Sequence, residues 1–301
     1  MRLLPKEWLK QSTQIEHSNR ASQREQSDME KKKVSVAYVL LKAVMIVLII
    51  FFASDGLMQF ISYSFYKGDR KFKEVRYEPI ELEIKASGKE CLYGYGYNLD
   101  SKSSSVILFF GGSMYIAYNS VGMYGGLFGC PFLSVDYYGS QKSRGKMNLQ
   151  TMQKSATDLY DYAKSRYPDR DIYVFGHSYG CGMAAYLASV RECKHLVLAS
   201  GYRNLSDLYN KIIPIFWGPL KVFIKNNIRV DQYAKKTVCP VTIIGSDADK
   251  TLSASLQQKL AAWYSSSASP AECKIFHGIC HEDYFATEEV IHFLSGIVEK
   301  D

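Results

Sequence analysis

Three stretches of different apolar pattern divide the chain. Residues 1–33 are polar and charged and end in Lys31-Lys32-Lys33. Val34 to Ser54 then runs apolar, with Lys42 as its one charge. At ~1.5 Å of rise per residue this run is long enough to cross a bilayer. Its Ile, Leu, Val and Phe residues contribute on the order of −4 to −8 kcal/mol to insertion, against roughly +3 kcal/mol or less for Lys42 if it snorkels, so insertion wins. A cleaved signal peptide is the rival reading, but its apolar region is normally about 7 to 15 residues behind a short basic start. This run is longer and begins late. It is also apolar on every face, unlike the amphipathic helix of a soluble core.

Residues 55–76 carry Phe60, Tyr63, Phe65 and Tyr66. They read as an interfacial aromatic belt and a short tether. Positive residues flank the run on both sides: Arg20, Arg24 and Lys31 to Lys33 before it, Lys67, Arg70, Lys71 and Lys73 after it. The leading lysines abut the span and the trailing ones begin at Lys67, which favours a cytoplasmic N-terminus and the rest of the chain on the other side.

From residue 77 onward, strands and helices alternate. Ile80 to Ile84 alternates apolar and acidic positions and reads as a strand; Gly88 makes a turn, and Cys91 to Tyr97 is its hairpin partner. Strands are expected at Ser105–Phe110 and Asp171–Phe175, both read as buried, and at Pro131–Tyr137, Lys194–Ala199, Val241–Ile244 and Ala271–Phe276. Helices are expected at Tyr115–Phe128, Leu149–Tyr167, Ser253–Tyr264 and Thr287–Val298, with another opening at Cys181. Residues 202–236 break the rhythm with Ile212, Ile213, Ile215, Phe216, Trp217, Leu220, Val222 and Phe223, and read as a small helical cap. The alternation argues an α/β fold, a mostly parallel sheet covered on both faces.

Composition changes this picture little. A chain of 301 residues accommodates one α/β domain of about 250 residues and an additional segment. The net charge of +7 is concentrated near the N-terminus, and no basic stripe interleaves with the motifs, so nucleic-acid binding is excluded. The seven cysteines, at 91, 130, 181, 193, 239, 273 and 280, form no C-x-x-C pair, so zinc and redox motifs find no support.

Candidate chemistry centres on Gly176-His177-Ser178-Tyr179-Gly180, between an expected strand and the helix opening at Cys181. This is the G-x-S-x-G nucleophile elbow, in which a strained turn lifts the serine above the sheet at a helix N-terminus. Side chains at Gly176 and Gly180 would collide with the neighbouring elements. A serine hydroxyl needs an imidazole to take its proton, and the imidazole needs a carboxylate to fix its tautomer. The strand from Val241 ends at Asp247 and Asp249, and the strand from Ala271 is followed by His277 and His281. Each is an acceptable acid or base by position. The backbone N–H of Tyr179 is one expected oxyanion donor, and Gly111-Gly112, after the strand ending at Phe110, the expected source of the other.

From about Ile80 to Val298 the chain resembles the α/β-hydrolases. Among them it is similar to single-pass, membrane-anchored bacterial members and to animal abhydrolase-domain relatives with lysophospholipase and acylglycerol lipase activities. The elbow carries the resemblance, as does Asp136 to Gly145, which matches the family's Asp-x-x-Gly-x-Gly-x-Ser-x-Gly loop with Gln141 at the second glycine. The family's spacing from a strand-opening proline and a helix leucine, matched by Pro240 and Leu260, places the acid at Asp249. Its Gly-x-x-His step, matched from Gly278, places the histidine at His281. The family often has His-Gly at the oxyanion strand end, whereas this chain has Phe110-Gly111-Gly112-Ser113, which makes Ser113 the second donor. It often has proline four residues past the acid, where this chain has Ser253.

The resemblance implies an α/β-hydrolase fold with a small cap, preceded by a transmembrane helix, and a serine hydrolase acting on a hydrophobic or lipid acyl ester. It implies no metal or cofactor. Peptide cleavage and a non-enzymatic, hydrolase-like binding module are the competing readings. In a bacterium, the expected orientation puts the hydrolase domain on the periplasmic side of the inner membrane.

Overall fold

The computed structural model describes residues 6–64, 66, 71–85, 90–210, 212–267 and 269–299. The expected turn at Gly88 and the charges Lys67 and Arg70 lie outside these residues. The chain divides into two units, Met1–Ser54 and Asp55–Asp301.

The described residues of the first unit, 6–54, are helical and belong to α1 (Lys6–Ser64). Among the described residues this is the one helix long and apolar enough to cross a membrane, by length and composition. Lys42 sets its Nζ 4.4 Å from the ring centroid of Tyr38, one turn back, so the single charge of the apolar run has an aromatic partner on its own helix.

The second unit is an eight-stranded sheet in the order β1-β2-β4-β3-β5-β6-β7-β8. Its strands are β1 (Ile80–Lys85), β2 (Cys91–Tyr97), β3 (Ser105–Phe110), β4 (Phe132–Val135), β5 (Asp171–His177), β6 (His195–Ala199), β7 (Val241–Ser246) and β8 (Ala271–Phe276). β2 runs antiparallel to β1 and β4, and every other pairing is parallel. The edge strand β1 buries Leu82 and Ile84 and exposes Glu81 and Glu83, as its alternation requires. The central strand β3 is buried at every position. Because β3 and β5 to β8 are parallel, their carboxyl ends share one edge, and the loops leaving that edge can meet.

Helices α2 (Ala117–Tyr124), α3 (Leu149–Arg166), α4 (Cys181–Val190) and α7 (Ala254–Ser265) pack against the sheet, and α8 (Glu288–Val298) meets it through Phe293 on Phe276 and the Val298 carbonyl, which accepts from Ser105 Oγ. α3 opens on a reciprocal cap: Asn148 Oδ1 accepts from Thr151 N, and Thr151 Oγ1 accepts from Asn148 N, both at 3.0 Å. α2 is shorter than the periodicity predicts. Tyr115 is drawn out of it, since its hydroxyl donates to Val135 O at 2.7 Å and meets Ser134 Oγ. The buried Asp136 carboxylate accepts from Ala117 N at 2.8 Å and sets the helix start there. Residues 202–236 hold α5 (Leu205–Tyr209), a 3-10 turn at Gly218–Phe223 and α6 (Val230–Ala234).

One stretch differs from its sequence reading. Residues 55–76 read as a tether, yet α1 continues without a break to Ser64, and its last turns pack on the cap. Lys225 N donates to Asp55 Oδ2 at 3.1 Å, Gln59 Nε2 donates to Lys225 O, and Ser62 Oγ meets the Tyr209 hydroxyl at 3.0 Å. Tyr63 and Tyr66 are buried, whereas Phe60 faces outward. Aromatic content alone cannot separate a lipid-facing belt from a core contact, because both settings suit a ring with one polar end.

All seven cysteines are free. Cys193 and Cys239, ahead of β6 and β7, bring their sulfurs to 3.1 Å.

Candidate active site

The end of β5 dictates where the serine goes. His177 is still extended, with φ −120° and ψ 132°, and Ser178 then turns to φ 51° in the left-handed region. A non-glycine residue there costs about 1 to 2 kcal/mol, which the surrounding packing must hold. The flanking glycines explain how the turn fits. A Cβ on Gly176 would stand 2.7 Å from both Ala184 Cβ and Cys181 Cα, and one on Gly180 would stand 2.2 Å from Phe110 O. The strand thus passes directly into a single turn, Ser178–Gly180, and then into α4.

Ser178, His281 and Asp249 come together, although 103 residues separate the first two. Ser178 Oγ lies 2.9 Å from His281 Nε2, and His281 Nδ1 lies 2.9 Å from Asp249 Oδ2 and 3.1 Å from Oδ1. An ionised carboxylate only accepts, so Nδ1 carries the ring proton and Nε2 turns its lone pair to the serine hydroxyl. The Asp249 side chain is wholly buried. Burial alone would raise its pKa, but hydrogen bonds from His281, Ser200 and Leu252 N–H hold it well below the usual carboxylate range.

The other two candidates pair with each other. His277 Nδ1 sits 2.7 Å from Asp247 Oδ2, and Gly278 N donates to Asp247 Oδ1 at 2.9 Å. This pair is exposed, and it ties the ends of β7 and β8 together. The Gly278 and His277 contacts lower the Asp247 pKa.

The loop after β3 runs beside the serine. A Cβ on Gly112 would lie 3.0 Å from Ser178 Cβ, and one on Gly111 would strike the Tyr115 ring at 2.1 Å. Ser113 follows on the exposed side, and Met114 holds φ 63°. Asp136 anchors the far end of this loop through Ala117 N, and burial pushes its carboxyl up to about 7. In the loop after β4, Gln141 takes φ 49°, a conformation that a glycine would adopt without strain.

Several further residues join the site beyond those expected from the linear sequence. Ser200, at the end of β6 with φ 50°, donates to Asp249 Oδ2 at 2.5 Å and lies 3.1 Å from His281 Nδ1. The Tyr284 hydroxyl donates to Asp249 Oδ2 at 3.1 Å, and Thr251 N and Leu252 N donate to Oδ1 at 2.9 and 2.8 Å. His177 donates from Nε2 to the His281 carbonyl at 2.9 Å, holding the histidine loop from beneath. Burial first, and the neighbouring His281 second, lower the His177 pKa to about 4. A usable signal existed for Ser200, which follows a strand of the parallel set at its carboxyl end, where such folds gather functional groups.

Residues 110–218 match the family described as alpha/beta hydrolase fold. The chain is 28% identical to lysophosphatidylserine lipase ABHD12 of Danio rerio over 145 residues, 42% of this chain and 38% of that protein. It is 24% identical to the Macaca fascicularis protein of the same name over 192 residues, 56% of this chain and 48% of that one. The chain therefore spans less than half the length of these curated relatives. Among solved structures, an esterase of Pyrococcus furiosus superposes with TM-score 0.60 at 17% identity, covering 78% of this chain and 96% of that one. The acylaminoacyl peptidase of Pyrococcus horikoshii superposes at 0.58 and 15%, covering 77% and 44%. With the sheet order, the elbow turn and the match over residues 110–218 in agreement, the chain has the α/β-hydrolase fold.

Proposed function

We propose that the protein is a membrane-anchored serine hydrolase that cleaves acyl esters through an acyl-enzyme. The observation that carries the reading is the continuous line of hydrogen bonds from Ser178 through His281 to Asp249. Ser178 Oγ attacks the ester carbonyl while His281 Nε2 takes its proton. The backbone N–H groups of Tyr179 and Ser113 hold the oxyanion. The tetrahedral intermediate collapses, the C–O bond breaks, and His281 returns the proton to the departing alcohol. Water then attacks the acyl-enzyme with His281 as base, and the free acid leaves with Ser178 restored. Asp249 orients His281 and stabilises its cation throughout. The reaction calls for no metal or cofactor.

A lipid or other hydrophobic ester as substrate is supported by the apolar helix and the cap. Ile212, Trp217 and Val222 expose 66%, 64% and 78% of their surface, more than a cap that met only water would favour. The apolar run of α1 is the anchor, with the N-terminus cytoplasmic and the hydrolase unit on the opposite, periplasmic side of a bacterial inner membrane. The lipase names of the curated relatives agree with this substrate class.

Activity-based labelling tests the reading. A fluorophosphonate should label the wild-type protein covalently and leave Ser178→Ala unlabelled, with ester hydrolysis reduced on the order of 10³-fold or more. A membrane-impermeant version of the probe should label intact spheroplasts. Labelling that survives in Ser178→Ala would exclude this serine as nucleophile. Turnover of peptide anilides in preference to esters would move the chemistry to peptide cleavage. A protein that neither labels nor turns over either class would be a binding module.

A further inference from the structure

The sheet brings two sulfurs together at the edge away from Ser178. Cys193 stands two residues before β6 and Cys239 two residues before β7, at the amino ends of neighbouring parallel strands. Carried back from the pairing of Leu196 with Val241, the register sets Cys193 opposite Val238, one position from Cys239. Their Sγ atoms lie 3.1 Å apart. Both segments are held by their backbones. On either side of Cys193, the Tyr160 hydroxyl donates to Glu192 O at 2.5 Å and Lys194 N donates to Ile172 O at 2.8 Å. Next to Cys239, Pro240 O accepts from Leu196 N at 3.0 Å and Val241 N donates to Pro270 O at 2.8 Å. The contact is therefore built into the sheet rather than reached by a loose loop.

Among the described residues no other two cysteine sulfurs touch; Cys91 donates instead to Glu83, and Cys181 to the Ala199 carbonyl. A disulfide sets its sulfurs about 2.05 Å apart, and cysteines on distant or diverging segments cannot close one without moving backbone. Here the sulfurs have only about 1 Å to travel, a matter of side-chain rotation. Access is graded as well. Cys193 is half-buried, whereas Cys239 is 5% exposed, so an oxidant meets one sulfur and the other lies behind it. The stretch between them holds β6 and the whole cap, residues 202–236.

We propose that Cys193 and Cys239 are a disulfide-forming pair, which a disulfide-bearing oxidant converts to a cross-link that closes residues 193–239, cap included, into one loop. The Cys193 thiolate attacks the oxidant's disulfide, and one thiol leaves. The Cys239 thiolate then attacks the Cys193 sulfur of the mixed disulfide, and the second thiol leaves. Two cysteine thiols are oxidised to one disulfide, the oxidant is reduced to two thiols, and the two cysteine protons pass to the leaving thiolates. In the folded protein β6 and β7 already hold the loop ends together, so the bond acts on the unfolded chain by removing the freedom of an open loop. The bond is expected wherever this unit meets an oxidising compartment. It is independent of the Ser178 reading, since a chain that cleaved no ester would still form it.

The test takes the full chain in lipid nanodiscs, reduced and then incubated with oxidised glutathione. Remaining thiols are blocked with iodoacetamide, and the digested protein is read by mass spectrometry. The peptides carrying Cys193 and Cys239 should be recovered joined, two hydrogens lighter than their sum, and dithiothreitol should separate them. In Cys239→Ser, Cys193 should stop at the mixed disulfide and keep one glutathione. The oxidised wild type should melt about 5 to 15 °C above the reduced protein, and Cys193→Ser should show no such rise. Recovery of both wild-type cysteines alkylated overturns the proposal, as does glutathione retained on Cys193 beside an alkylated Cys239. Joining of either cysteine to a different one, or an equal rise in Cys193→Ser, overturns it too.

Discussion

Ser200 donates a 2.5 Å hydrogen bond to Asp249 Oδ2, the same oxygen that lies 2.9 Å from His281 Nδ1. Two strand ends, those of β6 and β7, therefore fix the carboxylate between them. With Tyr284 on the same oxygen and two backbone N–H groups on the other, the acid has little freedom to rotate.

In the proposed mechanism Ser200 is accordingly a positioning residue. Ser200→Ala should lower kcat by about tenfold, in line with the loss of one hydrogen bond to a charged group, and leave KM close to wild type. Thermal unfolding of the variant should stay near wild type, since the other donors to Asp249 remain. A variant with unchanged kcat would show that Tyr284 and the backbone suffice to hold the acid.

Asp249 and Asp247 stand two residues apart and should behave very differently. Asp249→Asn reverses the hydrogen-bonding demand on His281 Nδ1 and favours the wrong tautomer, so kcat should fall on the order of 10³- to 10⁴-fold. Asp247→Asn touches only exposed contacts, with His277 and with Gly278 N, and should stay within about twofold of wild type, as isolated surface pairs contribute little. Steady-state kinetics on a soluble short-chain ester compares them. Reversed losses would exchange the acid.

Buried histidines give the domain a stability that depends on pH. His177 and His195 are both lowered to about 4, chiefly by burial, whereas in the unfolded chain each titrates near 6.5. Between about pH 6.5 and pH 4 the unfolded state binds more protons, so their contribution is complete above pH 6.5 and is lost as pH falls through that window. Asp136, raised to about 7, acts in the opposite sense over nearly the same range, because its folded form takes up the proton first. The readout is therefore a difference. His177→Gln keeps a donor toward the His281 carbonyl and removes one titration. Its melting temperature should decline less than wild type between pH 7 and pH 4.5. Parallel declines would mean that His177 is protonated in the folded protein as readily as in the unfolded one.

The linear sequence, by itself, determined the parallel sheet and the position of the elbow turn at Ser178. Both are local matters. Val, Ile, Leu and Phe in a short run leave few alternatives to a buried strand, as Ser105–Phe110 illustrates, buried at every position. The elbow is equally local, since only glycines fit where Gly176 meets α4 and Gly180 meets the end of β3. The apolar run from Val34 to Ser54 is another local signal, because crossing a bilayer is a question of length and composition.

What the tertiary structure alone decided is which groups meet. Asp247 and Asp249 are both good strand-end carboxylates, and His277 and His281 both good strand-end imidazoles. Their sorting into one exposed pair and one buried pair depends on the backbone turns after β7 and β8. Ser200 joins the acid only because β6 lies next to β7. His177 could be placed beside Ser178 from sequence, but its bond to the His281 carbonyl spans 104 positions. Tyr66 shows the limit most clearly. Its aromatic neighbours in sequence suggested a lipid-facing belt, and its contacts with Tyr137 and Tyr179 instead bury it against the elbow. Burial of an amphipathic ring is set by what folds over it, and hydrogen bonds between distant loops leave no periodicity to read.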